Sequence, residues 1–171
     1  MRKCCFRAAA VAAATLSSAP AQSSTPILFW EGASAVRVQC LVGPGHEPGA
    51  RKLQQTLCDR VVKLAAQGTR LPVSTVPFGD PQVIAPGTVA LLVHGFIEQE
   101  GARRLLAFSI RPFRNSADQT AVLFGAPPRA AFLTQAGQPT PALDAALKTA
   151  LAETLPWQNR PSEPRPLPTN K

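Results

Sequence analysis

The chain has no tyrosine, two tryptophans and eight phenylalanines among 171 residues. So few aromatics argue against a cleft that stacks carbohydrate rings. Histidine is scarcer still, with only His46 and His94, 48 residues apart. A metal site needs three or four ligands converging at fixed spacing, and neither histidine belongs to an H-x-x-x-H pair. There is no G-x-S-x-G elbow for a nucleophilic serine and no G-K-[ST] ending for a phosphate loop. No internal repeat of 20 to 50 residues is present. The apolar run Ala8–Leu16 is nine residues long, far short of the roughly 20 that cross a bilayer. No metal or other cofactor is expected.

What is present begins with the leader. Arg2, Lys3 and Arg7 precede the alanine-rich run, and Ala19-Pro20-Ala21 follows with small residues where a signal peptidase reads. That layout predicts a secretory signal over 1–21, cleaved before Gln22, and a periplasmic or secreted product. Three basic residues leave with it, so 18 Lys and Arg become 15 against 10 acidic residues, a net charge of +5. A moderately basic exported protein favours anionic surfaces. Nucleic acid is not expected as a partner outside the cytoplasm. An envelope protein or an anionic envelope polymer is.

Cys4 and Cys5 sit ahead of the apolar run and leave with the leader. They are not a lipoprotein site, where the cysteine follows the run. Cys40 and Cys58 remain as the only pair, and in an oxidising compartment two cysteines bond. Their spacing excludes a C-x-x-C redox pair.

Residues 22–34 read as a flexible lead-in holding the short apolar segment Ile27–Trp30, which either pairs as an edge strand or packs as a flap. A single domain follows over 35–157, and 158–171 reads as a disordered, proline-rich basic tail. Val36, Val38, Cys40 and Val42 alternate with Arg37, Gln39 and Leu41, predicting a half-buried strand over 35–42. After the glycine- and proline-rich turn 43–49, Leu53, Leu57, Val61 and Leu64 form one face of a helix from about Pro48 to Gln67, with Cys58 at its edge. This places Cys58 over Cys40. Further strands are predicted at 71–76, where Pro72 restricts pairing to an edge, at 89–97, at 104–111 and at 120–124. Residues 78–86 read as loop. The strand 89–97 is apolar on both faces at its start, as a strand covered on both sides would be. Thr140 caps, and Pro141 opens, a second helix to Leu155.

The order strand-helix-strand-strand-strand-strand-helix predicts an α+β domain: a four- or five-stranded mixed sheet with two helices on one face. It is similar to the order in small mixed domains of periplasmic assembly and scaffold proteins, such as the amino-terminal domain of TolB. The likeness is one of topology and implies no activity.

Candidate chemistry is sparse. An enzyme would rest on His94 with Asp80 or Glu98 and a remote serine, Ser74 or Ser109, none of them on a strand-to-helix turn. Glu98 and Glu100 share a strand end and read as solvated acids beside a turn. The Gly43–Gly49 turn precedes a helix and resembles an anion cradle, but Pro44 and Pro48 remove two amide donors. The one cluster suited to a ligand is Arg103, Arg104, Arg111, Arg114 and Arg129, with Asp118 the only acid among them. Guanidinium forks suit carboxylate and phosphate, and basic residues also guard sheet edges. The expected role is a non-enzymatic binding or assembly module of the bacterial cell envelope. The alternatives are a secreted hydrolase or transferase without a recognisable motif, and an inhibitor-like module presenting the loop Phe78–Pro86. A periplasmic product implies a Gram-negative source, and the alanine, arginine and proline bias suggests a high-GC genome.

Overall fold

Alternating apolar residues at 36, 38, 40 and 42 build the first strand, β1 (Ala35–Gly43), in the computed structural model. The structure describes residues 27–43, 49–101, 103–115 and 125–158. The leader, His46, Asp118, the strand expected at Thr120–Phe124 and the tail beyond Gln158 lie outside the described residues. The leucine ladder forms α1 (Ala50–Ala65). Then follow β2 (Val73–Thr75), β3 (Thr88–Glu100), β4 (Arg103–Phe113), β5 (Arg129–Leu133) and α2 (Pro141–Thr154).

The five strands form one mixed sheet in the order β2-β1-β3-β4-β5. Two parallel pairings flank β1, with β2 and with β3. β3 and β4 form a long antiparallel hairpin, and β5 adds antiparallel to β4. The hairpin turns at Gly101, whose φ of +59° is a conformation that glycine adopts without a Cβ penalty. The turn is tighter than the sequence implies, because Gln99 and Glu100 still pair with Arg104 and Arg103. The strand β5 was not expected. Its Arg-Ala-Ala-Phe-Leu run follows two prolines and alternates with alanine rather than with large apolar residues.

Both helices lie on one face of the sheet, α1 over β1 and β3, α2 over β5 and β4. Val36, Val38, Val42, Leu91, Val93, Leu106, Phe108 and Ile110 meet Leu53, Leu57, Val61, Leu143, Leu147 and Leu151 in a single core. Cys40 and Cys58 are joined there in a disulfide, with Cα atoms 5.8 Å apart. Ile97 and β5's Ala131 and Leu133 close the far end.

Side chains satisfy the start of α2 and the end of α1. The Thr140 side chain accepts from the Leu143 N–H and donates to the Phe132 carbonyl at 2.7 Å, so one hydroxyl caps α2 and ties it to β5. At the carbonyl end of α1, the Trp157 indole N–H donates to Ala65 O at 3.0 Å and the Gln158 amide donates to Leu64 O at 2.7 Å. These are carbonyls that helix geometry leaves without an internal partner. The segment Ile27–Trp30 is a 3-10 turn rather than a strand. Its Trp30 is buried edge-on against Trp157, with centroids 4.9 Å apart.

Candidate functional site

Period-two alternation gives each strand a helix-covered face and an opposite face. On that opposite face lie Arg37, Gln39 and Leu41 of β1, Ala90, Leu92, His94, Phe96 and Glu98 of β3, Leu105, Ala107, Ser109 and Arg111 of β4, and Ala130 and Phe132 of β5. Its two halves differ.

The half nearest the start of β1 is roofed by residues 76–87. Gln39 is buried and its amide donates to Pro77 O at 2.8 Å. Arg37 donates to Ser74 Oγ at 2.9 Å and to Gln82 Oε1 at 3.2 Å. The roof contains a short 3-10 turn, Pro81–Ile84, whose first N–H donor, on Gln82, is accepted by the Asp80 carboxylate at 2.8 Å. Ala90 and Thr88 are buried beneath it. Double-sided burial expected from the apolar start of β3 is thus met on one side by helices and on the other by this loop.

The other half has no covering element among the described residues. Leu41 of β1, Phe96 of β3 and Phe132 of β5 expose 47%, 51% and 40% of their surface. Register places Leu41 beside His94, Phe96 beside Ala107, and Leu105 between Glu98 and Phe132. Leu92, Leu105 and Ala107 are half-buried among them. The result is an apolar strip across four strands. Singly exposed apolar side chains are ordinary, whereas these gather on one sheet face. The sequence carried a signal for it, in Leu41, Leu92, Phe96 and Leu105, the apolar residues that interrupt this face of β1, β3 and β4.

The five arginines do not converge on one edge. Arg103 stands on the uncovered face, its Cζ 5.3 Å from the centroid of the Phe132 ring. Arg111 is exposed on the same face, paired in register with Leu92. Arg104 points to the helix side and lines a small cavity of about 30 Å³ with Lys52 and Gly137. Arg129 is also on the helix side and forms an ion pair with Glu153 of α2. Arg114 donates to Phe29 O at 3.0 Å and to Glu31 O at 2.6 Å, securing the turn before β1.

His94 and Ser109 face each other across β3 and β4, yet no hydrogen bond joins them, and His94 holds no carboxylate partner among the described residues. Asp80 is occupied as a cap. No group of three or more His, Cys, Asp and Glu that could hold a metal occurs among the described residues. Two open grooves flank α1. One, about 490 Å³, lies between the helices and is lined by Arg60, Lys63, Leu64, Gln67, Asp144 and Lys148, with Arg60 and Asp144 paired across it. The other, about 520 Å³, runs beside the disulfide to Phe78.

No protein-family model matches the sequence, and no curated protein does. Among solved structures the chain is similar to a PelC dodecamer from Paraburkholderia phytofirmans, seen in two crystal forms. In one the identity is 12% over 84% of this chain and 95% of that chain, with a TM-score of 0.43. In the other it is 11% over 85% and 96%, with a TM-score of 0.41. Likeness at that level says nothing about what this chain binds or does.

Proposed function

We propose that the chain is an exported, non-enzymatic binding or assembly module of the bacterial cell envelope, and that it docks through the uncovered half of its sheet. The observation that carries this reading is the apolar strip of Leu41, Phe96 and Phe132 on a face whose other half is roofed. A sheet face of this character is stabilised by covering it with another layer. Export is supported by the leader layout and is compatible with the Cys40–Cys58 disulfide. No helix among the described residues is long and apolar enough to cross a membrane.

The experiment is retention of the purified, disulfide-intact chain on envelope extract from its source, alongside the triple variant Leu41→Ser, Phe96→Ser, Phe132→Ser. Retention that falls at least tenfold in the folded variant supports the reading. Equal retention of both, or none for the wild type, overturns it.

A further inference from the structure

The outer edge of β1 is only half covered by β2. Even-numbered residues of β1 turn their N–H and C=O groups to that side. Val36 donates to Pro72 O at 2.9 Å, and Val38 accepts from the Val76 N–H at 2.9 Å. The pairing then stops, because Pro77 has no N–H to continue it and its carbonyl is held by Gln39 on the opposite face of the sheet. Cys40 is the next even-numbered residue. Its N–H and C=O have no hydrogen-bond partner among the described residues, although the residue is only 6% exposed. Backbone groups so far withdrawn from water are paired in nearly all folded proteins. At Val42 a side chain stands where a neighbouring strand would be: the Val42 N–H donates to Gln54 Oε1 of α1 at 3.1 Å.

This edge borders the groove of about 520 Å³ beside the disulfide. Gln54, Gln55 and Asp59 of α1 form one wall, and the turn Thr75–Phe78 forms the other. Phe78 is 76% exposed there, on a turn pinned by the Asp80 N–H to Pro77 O at 3.2 Å.

We propose that the groove binds a short extended segment of another protein, which adds to β1 in line with β2. The segment's backbone pairs with the Cys40 N–H and C=O, its carbonyl takes the Val42 N–H from Gln54, and one apolar side chain packs on Phe78. An unpaired strand edge is a template for a further strand, and main-chain bonds combined with side-chain pockets are how added strands are held. A helix is excluded as the occupant because its own ladder consumes its backbone groups. A second copy of this chain is disfavoured, because its Cys40 lies equally deep in its own groove and two recessed edges cannot close to the strand spacing of about 4.8 Å. The site lies on a different surface from the apolar strip and does not rest on the docking reading above.

The full exported chain carrying Gln55→p-benzoylphenylalanine is irradiated in envelope extract of its source, and the joined peptide is sequenced and synthesised. The expected adduct is a segment of a different protein. Its synthetic copy binds the wild-type chain, and single backbone N-methylations alternate in effect along it. One position lowers affinity at least tenfold and its neighbours less than threefold, as the two-residue period of a strand requires. Gln54→Ala tightens binding at least threefold, because the competing acceptor at Val42 is gone, and Phe78→Ser weakens it at least fivefold. Phe96→Ser with Phe132→Ser changes it less than twofold, which separates this site from the docking face. Closure of Cys40–Cys58 and an unchanged melting temperature verify folding of each variant. N-methylation without alternation, or unchanged or weaker binding by Gln54→Ala, overturns the inference. So does an adduct to lipid, to a second copy or to another segment of this chain, or no adduct at all. Each of these results leaves the docking reading standing.

Discussion

Cys40 in the middle of β1 and Cys58 in the third turn of α1 are covalently joined, and the bond closes a loop that contains the whole strand-to-helix connection. Closing a loop with 17 intervening residues restricts the unfolded chain by roughly 3 kcal/mol in the chain-entropy account. Cys40→Ala with Cys58→Ala is therefore expected to lower unfolding free energy by about 2–4 kcal/mol. Urea denaturation of the double variant, and of the wild type with and without reductant, measures it. A wild type equally stable in reductant contradicts this.

Trp30 and Trp157 join the two ends of the described chain. Trp157 touches Trp30 edge-on and donates to Ala65 O. Trp157→Ala removes the ring contact and leaves a carbonyl of α1 with one partner fewer. Trp157 is half-buried against the core, so the expected loss is about 1–3 kcal/mol, at or below that of a large aromatic truncation inside a core. Trp157→Phe keeps the packing and loses the hydrogen bond, so a smaller loss of about 1 kcal/mol is expected. Thermal unfolding of the two variants separates the contributions.

Gly95 of β3 lies at a tight point of the helix-covered face. A Cβ there would lie 3.1 Å from Leu106 Cδ1 and 3.3 Å from Val42 Cγ2. Gly95→Val is expected to destabilise by about 1–3 kcal/mol through overpacking. The paired variant Gly95→Ala with Leu106→Val tests the cause. It should recover part of the loss seen for Gly95→Ala alone, if the Leu106 methyl is the obstacle.

Surface substitutions on the strip behave in the opposite way. Leu41→Ser, Phe96→Ser and Phe132→Ser remove side chains that are already 40–51% exposed. Each is expected to change stability by only about 0.5 kcal/mol. Losses comparable to that of a core residue such as Leu147→Ala, about 2–5 kcal/mol, would show that these side chains serve the fold rather than an interface. Denaturant midpoints of the four variants decide this.

Much of the fold was legible because its elements carry strong periodicity. The valine alternation at 36–42, the leucine ladder of α1 and the Thr140-Pro141 start of α2 are each local signals that the core then uses. Cys58 on the edge of the leucine face was enough to foresee its bond to Cys40. β5 was missed because alanine at 130 and 131 supplies little periodic contrast. Trp30 was placed in a lead-in because nothing local shows that Trp157, far along the chain, will cover it. The arginine cluster illustrates a different limit. Proximity in sequence put five guanidinium groups together, and the two-faced geometry of β4 then sent Arg104 to the helix side and Arg103 to the other, with Arg129 drawn to Glu153. The uncovered strip was legible only in part, since exposure of Phe96 and Phe132 depends on where the 76–87 roof ends.

The most direct test of the account is hydroxyl-radical footprinting of Phe96 and Phe132, in the isolated chain and in the chain bound to envelope extract. The account predicts strong labelling of both rings in isolation and at least fivefold protection when bound. Equal labelling of Phe96 and Phe132 in the two states would contradict it.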